Sequence, residues 1–440
     1  MTPGARVQAS IELLTLISKD IVPPDITLSD YFRPRRYAGS SDRRLIRERV
    51  YTVMRHRLKL DWYVQKAGLL LKPSSRSRVI TELMLIECIN PKQISTLFSG
   101  AKYSPIELDD NEKKYVSKLH RQPLCHIEMP RSVVLEYPNW MDHLLIDFFG
   151  ERLELEMNAL NKPAPVDLRV NTLKLSRYQA QTALSKAGIN SHQTPFSPLG
   201  LRVDKHPQLR HTEAFKKGFV EIQDEGSQII AVLVGAQPGM TVIDFCAGTG
   251  GKTLALMPAM ALDGSLSGLL YACDVSATRL SRMNDRIERA GAYGVKPIRI
   301  SATDDQWIRE NSGRADRVLA DVPCTGTGVW RRDPNAKWRY QYSDLCKIKI
   351  KQQSILQTSS SLVKVGGRLI YSTCSILSEE NDQQVAWFLK NNSNFSILPI
   401  KEIWRETVGG PALKAGNNLY LSPASTNTDG FFCAIMERHK

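Results

Sequence analysis

Three things are scarce or missing in this 440-residue chain, and each narrows what it can be. No stretch approaches the roughly 20 apolar residues of a membrane-spanning helix, so no membrane partner is expected. The eight cysteines, at 88, 125, 246, 273, 324, 346, 374 and 433, contain no Cys-x-x-Cys pair and no metal-ligand spacing, so no metal is expected. Acid is in short supply, with 59 Lys and Arg against 45 Asp and Glu, a formal net charge of +14. The opening residues lack the charged-then-apolar layout of a signal peptide, and with its scattered thiols the chain reads as reduced and cytoplasmic. The basic excess points to a polyanionic partner, nucleic acid before membrane. With 42% hydrophobic and 24% charged residues and no repeats, the composition is that of a globular protein of two or three domains, expected to be monomeric.

Along the chain, residues 1 to about 120 carry helical patterns. The clearest is Asp42–Leu58, where Leu45, Ile46, Val50, Val53 and Met54 make one apolar stripe. Arg43, Arg44, Arg47, Arg55 and Arg57 occupy its other faces, with few acids nearby in sequence, which makes this helix a candidate RNA contact. A Pro-rich passage, Gln122–Asn139, reads as a linker, followed by a helix from Met141 to about Leu160. A strand over Val166–Leu173, a helix over Ser176–Ala187 and a short strand over Leu201–Val203 form a small α+β module, whose Arg169, Asn171 and Lys174 are placed to face a phosphate backbone. Strands and helices then alternate: strands at 241–245, 269–273, 297–301, 317–321 and 367–371, with helices at 252–260, 277–291, 344–363 and 379–391. That alternation predicts a doubly wound, Rossmann-like α/β domain. The expected division is 1–125, 126–235 and 236–440.

The stretch that organises the last domain is Thr241–Thr253, a short apolar strand ending in Asp244, then Cys246-Ala-Gly-Thr-Gly-Gly-Lys252 and the start of a helix. A glycine turn between strand and helix lets backbone approach a ligand closely and presents helical amides to it. A P-loop needs glycine at position 246, where Cys246 stands, and a dinucleotide fingerprint wants glycine at 253, where Thr253 stands. A nucleotide-triphosphatase using Gly251-Lys252-Thr253 is therefore the weakest alternative. A pocket for adenosylmethionine needs the tight turn and no polyphosphate clamp.

Ligands of such sheets sit at the carboxyl ends of strands. Asp274 ends the second strand, where a carboxylate holds ribose hydroxyls; Asp304 or Asp305 follows the third, near an adenine edge; Asp321 ends the fourth. Two cysteines share that edge: Cys324 in Asp321-Val-Pro-Cys324 and Cys374 in Thr373-Cys374-Ser375. A thiolate beside a methyl donor suits one demanding reaction. Carbon 5 of a pyrimidine is a poor nucleophile until a thiolate adds to carbon 6, after which it can attack a sulfonium methyl; an acid at N3 stabilises the adduct, and a base then removes the carbon-5 proton.

These motifs resemble the RNA cytosine-5 methyltransferases of the bacterial Sun (RsmB) family and its eukaryotic relatives. Further matching stretches are Asp167-Leu-Arg-Val-Asn-Thr-Leu-Lys174, Gln223-Asp-Glu-Gly-Ser-Gln228, Arg331-Arg-Asp-Pro334 and Glu379-Glu-Asn381. The similarity covers roughly residues 130–440, and the helical region 1–120 resembles the all-α NusB-like RNA-binding domain that members often carry. The resemblance implies Cys374 as nucleophile, Cys324 as the residue that assists product release, and Asp321 at cytosine N3 and the exocyclic amine. It implies that Cys246, Ala247, Gly248, Thr249, Gly250, Gly251, Lys252, Asp274, Asp304 and Asp321 surround S-adenosylmethionine, and adds Arg331 and Arg332 to Arg43, Arg47, Arg169, Asn171 and Lys174 as RNA contacts. One departure stands out: the family's Cys-Ala-Ala-Pro-Gly-Gly-Lys is Cys-Ala-Gly-Thr-Gly-Gly-Lys here. The expected activity is methylation of carbon 5 of a cytosine in RNA, ribosomal (16S) first and transfer RNA second. The alternative from a different class is a non-catalytic RNA-binding or assembly factor on a methyltransferase scaffold, against which the presence of both cysteines and Asp321 speaks.

Overall fold

A computed structural model describes residues 1–19, 22–68, 71–204, 207–301, 305–410, 413 and 416–440. The chain forms two compact units, residues 1–161 with 330–341, and residues 162–329 with 342–440.

The first unit is helical. In Ser40–Arg55 the apolar positions Ile46, Val50 and Val53 are at most 1% exposed. Each such burial is worth about 1.5–3 kcal/mol. Leu45, expected on the same stripe, is 37% exposed. Helices Ser75–Leu85, Pro91–Leu97 and Asp110–Leu119 start on capping boxes at Ser74, Asn90 and Asp109. Helix Arg57–Lys66 has no such cap at His56. Its first amides are instead met by a distant carboxylate, Glu136, which accepts from Leu58 N–H at 2.9 Å and Lys59 N–H at 3.1 Å. Burial raises the Glu136 carboxyl, and Lys337 and Lys59 pull it back.

Two sequence expectations change in this unit. The passage 122–139 contains helix Arg131–Leu135, and Met141–Leu160 is not one rod but Asp142–Phe149, a 3₁₀ turn Gly150–Arg152 and Leu153–Leu160. The segment 330–341, read from sequence as part of the α/β domain, groups with these helices. Trp330 is 1% exposed, and Lys337, 2% exposed, donates to Asn161 Oδ1 at 2.8 Å.

The second unit holds two sheets. The smaller has the order β2-β3-β1-β4, all antiparallel, built from β1 (Val166–Val170), β2 (Ser191–Gln193), β3 (Gly200–Val203) and β4 (Val220–Ile222), with helix Arg177–Lys186 over it. Arg202 and Asp167 face each other across β1 and β3 in a two-pronged ion pair at 2.6 and 2.9 Å, both buried. The larger sheet has β5 (Thr241–Asp244), β8 (Leu269–Asp274), β9 (Lys296–Arg299), β10 (Ala315–Asp321), β11 (Val363–Thr373), β12 (Phe395–Leu398), β13 (Leu419–Leu421) and β14 (Phe431–Arg438); β6 (Ala261–Leu262) and β7 (Ser265–Leu266) make a small hairpin between β5 and β8. The order is β12-β14-β11-β10-β5-β8-β9, with β13 paired to β14. Strands β11 to β9 are parallel, whereas β12, β13 and β14 add an antiparallel edge that the strand pattern in the sequence did not include. The central strands are buried on both faces, Val242, Leu270, Leu319 and Ile370 on one side and Ile243, Cys273, Val318 and Leu369 on the other, which is why they read as continuous apolar runs.

Candidate active site

From β5 the chain runs outward to β8 and β9, then returns to the other side of β5 as β10. The carboxyl ends of β5 and β10 therefore open the crevice at the switch point, where such sheets hold ligands. β5 ends in Asp244, 1% exposed. Its Oδ2 accepts from the Thr253 hydroxyl at 2.6 Å, and its buried Oδ1 has no protein partner. Burial pushes this carboxyl up to about 7.

The loop that follows is tight against the protein and open on its other side. Ala247 N–H donates to the Cys273 carbonyl at 2.9 Å, and Gly248 N–H to Asp274 Oδ2 at 2.9 Å. A Cβ on Gly250 would sit 2.6 Å from Met283, whereas Gly248, at φ 57, faces open space. Thr249, where the related motif has proline, is pinned by Arg286, which donates to its carbonyl at 2.8 Å and its hydroxyl at 2.9 Å. Two charge-assisted bonds thus replace the rigidity of a ring. Asp274 is 4% exposed and also accepts from Ser276 N–H at 2.7 Å, which leaves lone pairs on both oxygens for a ligand. A loop with a clear outer face, a strand-end carboxylate with free lone pairs and an orphaned buried oxygen fit adenosylmethionine.

They do not fit a triphosphate. Lys252, which a P-loop would send to phosphate, is 8% exposed and donates to Asp321 Oδ2 at 2.6 Å. Burial works against the Lys252 ammonium, yet Asp321 holds it above its usual range. Asp321 Oδ1 accepts from the Ser372 hydroxyl at 2.8 Å. Beside this pair the sulfurs of Cys324 and Cys374 lie 3.4 Å apart. The Cys374 sulfur, together with burial, keeps the Cys324 thiol well above its ordinary range, and Cys374 adds to the charges that hold Lys252 protonated. Cys246 is different: burial, with the charges of Asp244, Asp321 and Asp274, drives its thiol far up, and it packs against the core.

The fold thus gathers the 246–252 loop, Asp274, Asp321, Cys324 and Cys374 in one crevice. Asp304 lies outside the described residues. Asp305 caps helix Gln306–Glu310 instead of facing a ligand, accepting from Trp307 N–H and Ser301 N–H at 2.8 Å each. Two expected RNA contacts, Arg169 and Asn171, turn inward. Arg169, 4% exposed, donates to Gln223 Oε1 and to the Gly251 carbonyl at 2.6 Å, bracing the cofactor loop from behind. Asn171 donates to the carbonyls of Gly218 and Ala290, whereas Lys174 stays exposed while donating to those of Lys217 and Arg289. Arg331 is 2% exposed in the helical unit, with Arg332 half-buried beside it. Arg43 donates to the Ala38 carbonyl at 2.8 Å; Arg47 stays exposed, 3.4 Å from Asp25. Arg169, Asn171, Lys174 and Arg43 share one feature: each donates to backbone carbonyls that need a donor. The residues that sequence reasoning left without a role are Glu380, Asn381 and Gln352, all buried beneath the two cysteines. Their signal is the acid–amide pair in Glu379-Glu-Asn381, which follows Thr-Cys-Ser at short range.

A parallel sheet with its glycine loop at the switch point, an acid at the end of each neighbouring strand and no phosphate clamp define an adenosylmethionine-dependent methyltransferase. Comparison with known proteins makes this specific. Residues 231–437 match the family of the 16S rRNA methyltransferase RsmB/F, and residues 137–210 match the ferredoxin-like domain of RsmF/B-like methyltransferases. The chain belongs to this family. It is a ribosomal RNA methyltransferase with S-adenosylmethionine as its methyl donor. Among its relatives is ribosomal RNA small subunit methyltransferase B of Citrobacter koseri, 28% identical over 430 residues, 94% of this chain and 96% of that one. The same enzyme of Pasteurella multocida is 31% identical over 305 residues, 69% of this chain and 65% of that one. The crystal structure of PH0851 superposes over 100% of this chain and 99% of its own, with a TM-score of 0.79 and 25% identity. A methyltransferase homologue from Pyrococcus horikoshii covers 70% of this chain and 97% of its own, with a TM-score of 0.59 and 29% identity. Among the described residues no helix is long and apolar enough to cross a membrane.

Proposed function

We propose that this protein methylates carbon 5 of a cytosine in 16S ribosomal RNA through a transient bond between Cys374 and carbon 6 of the base. The observation that carries this reading is the pair of thiols 3.4 Å apart beside the Lys252–Asp321 ion pair. In this scheme the Cys374 thiolate adds to carbon 6, and charge moves onto N3. Asp321 faces N3 and the exocyclic amine, and Lys252 is the proton store behind it. When bound, S-adenosylmethionine would supply an electrophilic methyl for carbon 5, and Asp274 and the 246–252 loop would hold it. Loss of the carbon-5 proton to a base then breaks the carbon 6–sulfur bond. The departing Cys374 sulfur is received by the Cys324 thiol, whose raised pKa keeps a proton available for it.

The division of labour follows the chain: residues 1–125 for RNA capture, 126–235 for positioning and 236–440 for chemistry. Exposed Arg33, Arg36, Arg44 and Arg47 supply the cationic face of the first part. Substituting the thiols separately tests the mechanism. Cys374→Ala should bind RNA without any lasting adduct. Cys324→Ala should accumulate a protein–RNA species that survives denaturing electrophoresis and needs both adenosylmethionine and Cys374, so the double variant should show none. Trapping by Cys374→Ala instead would reverse the assignment, and no trapping by either would overturn the covalent scheme. Bisulfite sequencing of the RNA product, with and without enzyme, checks the base.

A further inference from the structure

The two cysteines sit on separate loops, one after β10 and one after β11. The loops meet directly where Gly328 N–H donates to the Cys374 carbonyl at 2.9 Å and Ile376 N–H to the Thr327 hydroxyl at 2.9 Å. A buried acid ties them at the residues next to the thiols. Glu380 is 0% exposed, and its carboxylate is surrounded by hydrogen-bond donors. Oε1 accepts from Thr325 N–H at 2.8 Å and from Gln352 Nε2 at 3.1 Å, and Oε2 from the hydroxyls of Thr325 and Ser375 at 2.5 Å each. Thr325 follows Cys324, and Ser375 follows Cys374, so one carboxylate grips both loops at the residue next to each thiol. The other flanks are held from the same side. Gln352 Nε2 also donates to the Pro323 carbonyl at 3.0 Å. Asn381, beside Glu380, accepts from the Thr373 hydroxyl at 2.6 Å and donates to the Ser375 carbonyl at 2.9 Å. Tyr371 fixes the acid's own backbone, donating to the Glu380 carbonyl at 2.6 Å.

A buried carboxylate costs several kcal/mol of solvation unless donors surround it. A core that needed only packing would place an apolar side chain here. We infer that Glu380 is a positioning residue for the methyl-transfer reaction, holding the Pro-Cys and Thr-Cys-Ser loops in register so that the two thiols meet at the base. It touches neither base nor cofactor, and it acts through Thr325 and Ser375. The inference rests on the two-thiol scheme above for its catalytic meaning, but its geometric content can be read without RNA.

The test is the rate at which diamide joins Cys324 and Cys374 in the free, full-length protein. Two thiols give up two hydrogens, the sulfur–sulfur bond forms, and diamide is reduced to the hydrazine. That rate depends on how often the sulfurs meet. Glu380→Gln keeps the shape but puts an amide donor against the hydroxyl and amide donors around it. It should slow cross-linking about tenfold, and lower kcat by about 10- to 100-fold with the KM for adenosylmethionine within about twofold of the parent, as expected when reacting groups lose alignment. If Glu380→Gln does not fold, Thr325→Val removes one hydroxyl donor and should give a smaller change of the same kind. Parental cross-linking and kcat in a folded variant would overturn the inference, as would a loss of kcat matched by an equal rise in that KM. Failure of the covalent scheme would show separately, as no adduct from Cys324→Ala while cross-linking still responds to Glu380.

Discussion

The arginines of the helical unit and the polar groups at the strand ends of the α/β unit are both conspicuous in the sequence, yet they stand in opposite conditions. Along Ser40–Arg55 and its neighbours the cations find carboxylates from other helices. Arg49 lies 3.3 Å from Glu82 and 2.6 Å from Glu87, Arg76 lies 2.7 Å from Glu112, and Arg78 lies 2.7 Å from Asp61. A stretch that looked poor in acidic partners is supplied with them from elsewhere in the fold. At the strand ends, by contrast, Asp244 keeps an oxygen without a partner, Asp274 keeps free lone pairs, and two thiols face each other. Density of charge therefore says less about function than valence left over after folding.

Breaking the Lys252–Asp321 pair should have the largest effect. A charge-assisted hydrogen bond is worth about 1.5–3 kcal/mol, so Lys252→Met should lower the single-turnover rate of methyl transfer by roughly 10- to 100-fold. A rate within twofold of the parent would show that Asp321 works without it. Next, Asp274→Ala should weaken adenosylmethionine binding by about tenfold or more on the same scale, read by calorimetry, because it removes both the anchor of Gly248 and the ligand-facing carboxylate. Arg169→Met sharpens the contrast further. It strands the Gly251 carbonyl and Gln223, and should cost about 1–3 kcal/mol of stability, leaving RNA affinity at fixed salt unchanged. A fall in RNA affinity with no loss of stability would restore Arg169 as a backbone contact.

Asp244 gives a pH signature. Its folded pKa of about 7 lies above the ordinary 3.8, so between these values the native state binds more protons than the unfolded one. Stability must then fall as pH rises through that window, and above it the cost of the buried charge is complete. Asp244→Asn removes the titration, so its Tm relative to the parent should climb from pH 4 to pH 8; a flat difference would mean the carboxyl is solvated. The smallest change belongs to the exposed helical face. Arg47→Ala should shift stability by less than about 0.5 kcal/mol, while lowering the salt dependence of RNA binding by about one phosphate's worth. An unchanged salt slope would make that arginine a solvated residue and nothing more.

Much of this molecule is legible in its sequence. Strand and helix are local events, so the apolar run before Cys246, the glycine turn and the acids closing β5, β8 and β10 announce a Rossmann-like sheet and its ligand edge. The paired cysteine motifs likewise disclose the candidate chemistry, since each carries its own neighbours. What the sequence could not disclose is which polar groups remain available. Arg169, Asn171 and Lys174 lie on a basic, alternating stretch that reads as a surface, and only the fold gives them backbone carbonyls 43 to 119 residues away to satisfy. Glu380 reads as one acid among several until β10 and β11 align in parallel and bring Thr325 and Ser375 to it. Local pattern fixes where a side chain starts. Its hydrogen-bond partners are set by pairing across long stretches of chain, because burial obliges every donor and acceptor to find one.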